Sequence, residues 1–477
     1  MTPRKTKIIC TIGPAVSGID NLTKLIDHGM DIARLNFSHG TRDTHKSNVD
    51  DIREASKHAG RRVSILQDLQ GPKIRTGKVE NSGVMLEDGQ YFIITTDEIE
   101  IGNSEKVSTV YKNLSKEVKP GNTILLDDGY IILLVQSIKK NDILTKVVKG
   151  GILKDNKGII TPGATSMAPS LSDKDMEDFK FGLSVGIDAV ALSFVRSERD
   201  ILELKTVMKI FGRTVPIIAK IERYEGYESI DRIIEEADCI MVARGDLGLE
   251  MPAESVPIIQ KEIIKKCNEA GKPVIIATQM LESMIENPRP TRAEASDVAN
   301  AVIDQTDCVM LSAETSIGKY PFDAVEYMRK IIGAVEEKYN LSNLKVEFQE
   351  DSGNNDICDA LAKASFVVAG QINAKAIVCL TSTGSTASKI AKYRPVMPII
   401  AFTDNELAHS KMTFTKGVYP KLIDKAQGSL QVYSRLKEYL SDIKFLNQGD
   451  KIVFVAGLSS ENVYKENLIR IILVGDE

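Results

Sequence analysis

Eight short runs of almost purely apolar residues recur along the first two thirds of this 477-residue chain, mostly separated by amphipathic stretches with helical spacing. They are Thr6–Ile12, Asp31–Asn36, Val63–Asp68, Asp188–Phe194, Val215–Ile221, Cys239–Val242, Pro273–Ala277 and Asp307–Leu311. Strands this apolar have no wet face and must be covered on both sides. Eight parallel strands alternating with helices meet that demand by closing into a (β/α)8 TIM barrel, with an open doubly wound sheet as the alternative.

The rhythm breaks after Pro72. Short β-rich segments (Val84–Leu86, Tyr91–Thr95, Thr123–Leu126, Tyr130–Ser137, Ile143–Lys149) are punctuated by Asp88-Gly89, Asp128-Gly129 and Gly150-Gly151, which predicts an inserted all-β domain. Beyond about Glu337 a new alternation begins, with strands near Ala376–Leu380, Met397–Phe402, Lys451–Val455 and Leu468–Val474. The expected organisation is a barrel over 1–72 and 165–338, a β-rich lid over 73–164 and a C-terminal open-sheet α/β domain over 339–477. The barrel portion then has the usual length of about 250 residues.

A formal charge of −5 argues against electrostatic capture of nucleic acid or an anionic membrane surface. No apolar run reaches the ~18–20 residues that span a bilayer, and the start lacks a signal-peptide core. The six cysteines are scattered, without CxxC, and four lie in strand-like runs. A reducing cytoplasm is the expectation, with no disulfide framework and no zinc site.

Barrel active sites form where strands finish. Those positions hold Arg34, Asn36, Ser38 and His39; Asp68, with Lys73 and Arg75 beyond; Ser193 and Arg196; Lys220 and Glu222; Arg244-Gly245-Asp246; Thr278 and Gln279; Ser312 and Glu314. In Lys220-Ile221-Glu222 a period of two points the ammonium and the carboxylate the same way. A surface ion pair is the plainer reading of that spacing. Glu222 and Asp246 come from neighbouring strands, and two facing carboxylates repel unless a cation lies between them; Mg²⁺ or Mn²⁺ suits hard oxygen ligands. The alternative is that both bind arginines. Gly245-Asp246-Leu247-Gly248 precedes the helical pattern Val256–Cys267, so its amides are candidates to hold a carboxylate or phosphate oxygen. Cations, a carboxylate pair and hydroxyls without a Ser-His-Asp arrangement point to chemistry on a phosphorylated acid. Neither a GxxxxGKS/T loop nor the protein-kinase motif set is present.

The sequence resembles the pyruvate kinase family. The matching stretches are Thr6–Pro14 (TKIICTIGP), Ala33–Gly40 (ARLNFSHG), Asp68–Gly77 (DLQGPKIRTG), Lys220–Glu222 (KIE), Met241–Glu250 (MVARGDLGLE), Lys272–Met284 (KPVIIATQMLESM), Asn287–Asn300 (NPRPTRAEASDVAN) and Met310–Pro321 (MLSAETSIGKYP). The resemblance implies phosphoryl transfer from phosphoenolpyruvate to ADP, then protonation of enolpyruvate. It further implies that Glu222 and Asp246 hold the divalent metal, that Lys220 steadies the moving phosphoryl group and enolate, and that Arg34 and Arg75 face the phosphates. Asn36 and His39 lie toward the nucleotide, whose own magnesium is a second metal. Thr278 and the Gly245–Asp246 amides position the substrate carboxylate, Ser193 lies in the substrate pocket, and Thr278, Ser312 and Glu314 form the proton-relay region. Asp128 and Lys157 are the lid's contributions, Lys157 toward the nucleotide. A homotetramer is the family expectation.

Many family members need K⁺, held through residues matching Asn36, Ser38, Asp68 and the carbonyl of Leu69, with a glutamate where this chain has Lys73. A fixed ammonium there replaces the ion's charge, so K⁺-independent activity is expected. Thr161–Ser170 (TPGATSMAPS) departs from the family's leucine-proline pattern, and Ala313 stands where glycine is commoner. In the tail, Thr381, Ser382, Thr383, Ser385 and Thr386 follow an apolar strand and open a helix: a phosphate nest or an ordinary helix cap. By the resemblance this is the phosphate end of a sugar-phosphate or nucleotide effector site giving allosteric control. Two rivals remain at this stage, a metal-dependent lyase or aldolase acting on pyruvate enolates and a non-catalytic metabolite sensor.

Overall fold

The computed structural model describes residues 3–163, 168–338, 357–424, 438, 440, 443, 445–456 and 468–475. Residues 164–167, inside the divergent Thr161–Ser170 stretch, lie outside the described residues, as do 339–356 at the expected start of the tail.

Strands β1 (Lys7–Thr11), β2 (Ile32–Asn36) and β3 (Ser64–Asp68) lead into the insertion, which carries β4 (Gly83–Leu86), β5 (Tyr91–Thr95), β6 (Lys106–Ser108), β7 (Thr123–Leu126), β8 (Ile131–Lys139), β9 (Asp142–Lys149), β10 (Gly151–Lys154) and β11 (Ile159–Ile160). The first sheet resumes with β12 (Ala189–Leu192), β13 (Ile217–Ile221), β14 (Cys239–Ala243), β15 (Val274–Ala277) and β16 (Cys308–Leu311). These eight strands close in sequence order, all parallel, with β16 returning to β1. The closed barrel, not the open sheet, is the answer to the eight apolar runs.

Period-two alternation divides each strand. Ile8, Cys10, Ala33, Leu35, Ile65, Val190, Ile217 and Val309 pack under the helices, while Ile9, Ile32, Leu66, Ala191, Ile218, Met241, Ile275 and Met310 fill the interior. The interior cluster also contains Phe414 from the C-terminal region, whose carbonyl lies 3.2 Å from Cys308 Sγ. The barrel floor is therefore closed by a residue from another part of the chain.

A second device pins the register at that end. An aspartate stands one residue before β2, β12, β14 and β16, and each accepts the backbone N–H of a residue on the preceding barrel strand or next to its start. Asp31 takes Ile8 N at 2.8 Å, Asp188 takes Ile65 N at 2.8 Å, Asp238 takes Ile217 N at 3.0 Å and Asp307 takes Val274 N at 3.1 Å. Helices on the outside begin with capping boxes at Thr41, Ser172 and Thr291.

The insertion folds on its own core into a six-stranded sheet, β11-β7-β8-β9-β5-β6, and the β10-β4 pair. The sequence pattern did not show β6, β10 or β11: they are two to four residues long, and Gly151, read as punctuation, is the first residue of β10. The tail holds β17 (Ala376–Leu380), β18 (Ile399–Thr403), β19 (Val418–Leu422), β20 (Lys451–Ala456) and β21 (Leu468–Leu473) in the open order β19-β18-β17-β20-β21, with β21 antiparallel. Strand β19 was not expected; it is an edge strand carrying Pro420, which breaks the strand signal. Among the described residues no disulfide joins any two of the six cysteines, and no helix is long and apolar enough to cross a membrane.

Candidate active site

The alternation that fills the barrel with Ile, Leu and Met ends, at the C-terminal rim, in a polar layer. Two residues beyond Ile32 comes Arg34; two beyond Leu66, Asp68; two beyond Ile218, Lys220; two beyond Ile9, Thr11. These inward groups find one another. Arg34 Nε donates to Asp68 Oδ2 at 2.7 Å, and its Nη1 donates to Thr11 Oγ1 at 2.9 Å. Lys220 Nζ donates to Ser193 Oγ at 2.7 Å and lies 2.9 Å from Glu222 Oε1 and 3.1 Å from Asp68 Oδ1. The last contact is an ion pair without hydrogen-bond geometry, so Asp68 Oδ1 is a buried oxygen with no hydrogen bond.

This network is not a surface ion pair. Lys220 is 9% exposed, Glu222 2% and Asp68 1%. Burial alone pulls the Lys220 pKa down, but Asp68 and Glu222 reverse the effect and leave it raised, so the ammonium stays charged. Burial disfavours ionised Asp68, yet Lys220 and Arg34 hold its carboxyl below the usual range. Glu222 goes the other way: burial raises it, Lys220 opposes, and the Asp246 charge raises it further. That residual repulsion is what a divalent cation between the two carboxylates would relieve. Among the described residues no group of three or more His, Cys, Asp or Glu side chains is arranged around one metal position. The donor set is thus two hard carboxylates, which fits Mg²⁺ or Mn²⁺ with its other positions open to substrate oxygens and water.

Asp246 is placed differently from expectation. Arg244–Glu250 is itself a short helix, ahead of the second helix Val256–Ala270, so Gly245-Asp246 form its first turn and not a loop. The Gly245 amide is directed at Thr278 Oγ1, 2.8 Å away. Thr278 Oγ1 in turn donates to Ala277 O at 2.6 Å. Thr278 has φ +69° and Gln279 +54°, conformations that a β-branched residue adopts only under constraint. Arg244 supplies it: Nη2 donates to Thr278 O at 2.7 Å and Gln279 O at 3.1 Å, while Nη1 pairs with Asp297 at 2.6 Å. Phe194, at φ +56°, donates its backbone N–H to Glu222 Oε2 at 2.7 Å. Across the mouth, Glu314 is buried and accepts from Ser312 N at 2.6 Å and Leu281 N at 3.2 Å; burial raises its pKa.

Asn36 Oδ1 accepts Ser38 N at 3.1 Å, and His39 is exposed beyond them. Leu69 O, the expected cation ligand, accepts Ser193 Oγ at 2.7 Å. Lys73 lines a cleft between lid and barrel with Thr161, Phe194, Arg196, Arg223 and Asp246. Arg75 and Lys157 lie in the lid's base: Arg75 Nη1 donates to Asn156 O at 3.0 Å, and Lys157 Nζ pairs with Asp127 at 2.7 Å. Asp128 is exposed at a tight turn, φ +53°, whose Gly129 comes against Leu249 of the Asp246-bearing helix. In the tail, Thr381 and Thr386 are buried, and Thr381 Oγ1 accepts Gly384 N at 3.0 Å; Ser382 is half-buried, and Thr383 and Ser385 are exposed.

Sequence reasoning missed Thr11 and the Phe194 amide. Thr11 was legible from register, since it continues the inward positions of β1; a backbone amide in a positive-φ turn leaves no residue-type signal.

A family model described as the pyruvate kinase barrel domain matches residues 3–325, and one described as the pyruvate kinase alpha/beta domain matches residues 359–472. The chain is 43% identical to a pyruvate kinase of Corynebacterium glutamicum over 99% of its own length and 98% of that protein's. It is 44% identical to one from Geobacillus stearothermophilus, covering 99% of this chain and 81% of that one. Among solved structures, a pyruvate kinase from Cryptosporidium parvum matches with a TM-score of 0.93 at 39% identity, over 99% of this chain and 96% of that one.

Proposed function

The chain belongs to the pyruvate kinase family, which transfers a phosphoryl group from phosphoenolpyruvate to ADP with the help of a divalent metal, and on that premise we propose how its own residues divide the work. The observation that carries the reading is the buried Lys220 ammonium held among Ser193, Asp68 and Glu222.

Lys220 and Arg34 face the phosphoryl group as its bond to the enol oxygen breaks, and Lys220 then steadies the enolate left behind. Their donors are fixed before substrate arrives, so stabilising the developing charge requires little reorganisation. Glu222 and Asp246 would hold the divalent metal, Mg²⁺ or Mn²⁺, which would supply neutralisation of the charge that develops on the substrate. Gly245, Asp246, Thr278 and Ser193 seat the substrate carboxylate and phosphate. Asn36, His39, Arg75 and Lys157 bind the nucleotide, which brings a second metal ion. Thr278, Ser312 and Glu314 deliver a proton to the enolate carbon; Glu314, with its raised pKa, is a proton carrier suited to that route. Lys73 substitutes for K⁺ beside Asn36, Ser38, Asp68 and Leu69, so K⁺ is not required.

The working units are 1–72 with 165–338 for catalysis, 73–164 as a lid with Asp128 at its tip, and 339–477 for regulation. The lid excludes water, which would otherwise take the phosphoryl group. A sugar phosphate or nucleotide effector binds the 381–386 loop through Ser382, Thr383 and Ser385, with Thr381 and Thr386 shaping the turn. The enzyme works in the cytoplasm as a homotetramer, without nucleic-acid or membrane partners.

The test is ADP-dependent pyruvate release from phosphoenolpyruvate with Mg²⁺ in K⁺-free buffer, native chain against Lys220→Met. Turnover that collapses in the variant supports the assignment. Full turnover in the variant overturns the role of Lys220, and a tenfold or larger loss on omitting K⁺ at constant ionic strength overturns that of Lys73.

A further inference from the structure

Two connections join the inserted β-domain to the barrel, and both cross the turns that present Glu222 and Asp246. On the way in, Gly71 lies so close to the turn after β12 that a Cβ there would meet Ser193 Cβ at 2.8 Å and Phe194 Cδ2 at 2.9 Å, and its N–H donates to Asp175 Oδ1 at 3.1 Å. Phe194 is the residue whose amide holds Glu222. On the way out, just after β11, Thr161 is buried and lines the same cleft as Phe194, Arg196 and Asp246.

Two charged side chains grip the exit. Arg196, two residues beyond Phe194, donates Nη1 to Ala168 O at 2.8 Å. Asp200 steadies it, accepting Arg196 N at 2.8 Å and lying 3.1 Å from Nη2. Glu250 stands one helical turn beyond Asp246 on the helix Arg244–Glu250, and its carboxylate meets the backbone N–H of Gly163. That side chain is only 7% exposed. Burial pushes its carboxyl up to about 7, with Glu225 and Asp246 adding to the effect; Arg223, whose Nε lies 3.5 Å from Glu250 Oε1, and the Gly163 amide oppose it. Arg196 precedes the helix Glu198–Phe211, and Glu250 ends its own helix. A helix dipole disfavours a cation at the first place and an anion at the second, so helix electrostatics explains neither charge. The Asp246-bearing helix also touches the insertion a second time, where a Cβ on Gly129 would meet Leu249 Cδ2 at 3.2 Å.

We infer that Arg196 and Glu250 are positioning residues for the reaction: by pinning the lid's exit, at Ala168 and Gly163, to the turns that present Glu222 and Asp246, they make seating of the lid and setting of the carboxylate pair one event. The inference rests on the proposed reading of that pair as metal ligands and of the insertion as a lid. A lid drawn away pulls on the Phe194 turn through Arg196 and on the Asp246 helix through Glu250. A seated lid holds both carboxylates at a fixed spacing before substrate arrives, which is how supporting residues tune a metal site without touching the metal.

The experiment pairs two readouts on the full chain. Amide hydrogen exchange over residues 156–163, followed without metal or substrate, should speed up about tenfold in Glu250→Ala and in Arg196→Gln. Mn²⁺ affinity, from calorimetric titration with the metal alone, should weaken about tenfold in the same variants, and KM for phosphoenolpyruvate should rise by more than kcat falls. Glu250→Gln, which keeps an acceptor for the Gly163 amide, and Arg196→Lys, which keeps a donor for Ala168 O, should recover most of each loss. Thermal midpoints check that every variant is folded. Unchanged exchange overturns the clamp. Faster exchange with native Mn²⁺ affinity overturns the coupling, and so does a loss of affinity that the conservative variants fail to recover. Full turnover in Lys220→Met would sink the proposed chemistry instead, and leave both of these readouts standing.

Discussion

At the N-terminal end of the barrel, Asp31, Asp188, Asp238 and Asp307 each receive a backbone N–H and at least one cation; at the C-terminal end, Asp68 and Glu222 share Lys220, and Arg34 pairs with Asp68 alone. Asp307 is the fullest case of the first kind, with Arg394 bidentate at 2.6 and 3.0 Å, Val274 N at 3.1 Å and Lys416 N at 2.9 Å. At Asp31 burial opposes ionisation, but Arg4 and Arg61 outweigh it and hold the carboxyl at about 2. The C-terminal end is left incomplete: Asp68 Oδ1 has no hydrogen bond, Glu222 is raised and faces another carboxylate, and Thr278 and Phe194 sit in strained conformations. Buried charge as such therefore does not mark a working site. Buried charge left in mutual repulsion, as at Glu222 beside Asp246, is what the proposed divalent metal would relieve.

The two ends should answer differently to substitution. Lys220→Met should lower kcat by about 10³-fold, the scale of removing a preorganised donor. Asp307→Ala should do the reverse, removing about 3 kcal/mol of stability because Arg394 is left buried and unpaired, while kcat per folded molecule, from active-site titration, stays within about twofold. Equal losses of activity in the two variants would erase the distinction. Thr278→Gly should lower kcat by about 10²-fold and raise the thermal midpoint, since glycine adopts φ +69° without strain; a lower midpoint would show that the strain is not stored there.

Lys73→Glu sharpens the comparison within the C-terminal end, and should create a K⁺ requirement of about tenfold in kcat/KM. The smallest effect belongs to the N-terminal end. Burial, with Arg394 adding to it, lowers the fully buried Lys416 to about 7. The unfolded chain, with its ordinary lysine, binds the extra proton between about pH 7 and 10, so stability should rise with pH through that window. The slope is about 1 kcal/mol per pH unit. Denaturant titrations at pH 7 and 8 should show the rise in the native chain and lose it in Lys416→Met.

The closed barrel was legible because a fully covered strand writes its burial into every residue, and the same alternation pointed Lys220 and Glu222 to one side. The short lid strands were not, since two to four residues do not establish a period. The helix Arg244–Glu250 was not anticipated ahead of Val256–Cys267, because its two glycines, Gly245 and Gly248, lower helix propensity, which tertiary constraint overrode. The aspartate before every second barrel strand stands in plain view as MDIARL, IDAVAL, ADCIMV and TDCVML. It was missed because its meaning lies in the neighbouring strand's amide, a relation no local window contains.

Phe414, which closes the floor of the barrel, lies 103 residues after Leu311, where the last barrel strand ends. At about 5–20 residues per second of synthesis, the eight strands are complete some 5–20 s before that ring emerges. For those seconds the nascent barrel is an open-ended tube with a wettable lower mouth. The C-terminal domain is therefore a late folding partner of the barrel, and a chain stopped short of residue 414 should be held by chaperones even though every barrel strand has been made.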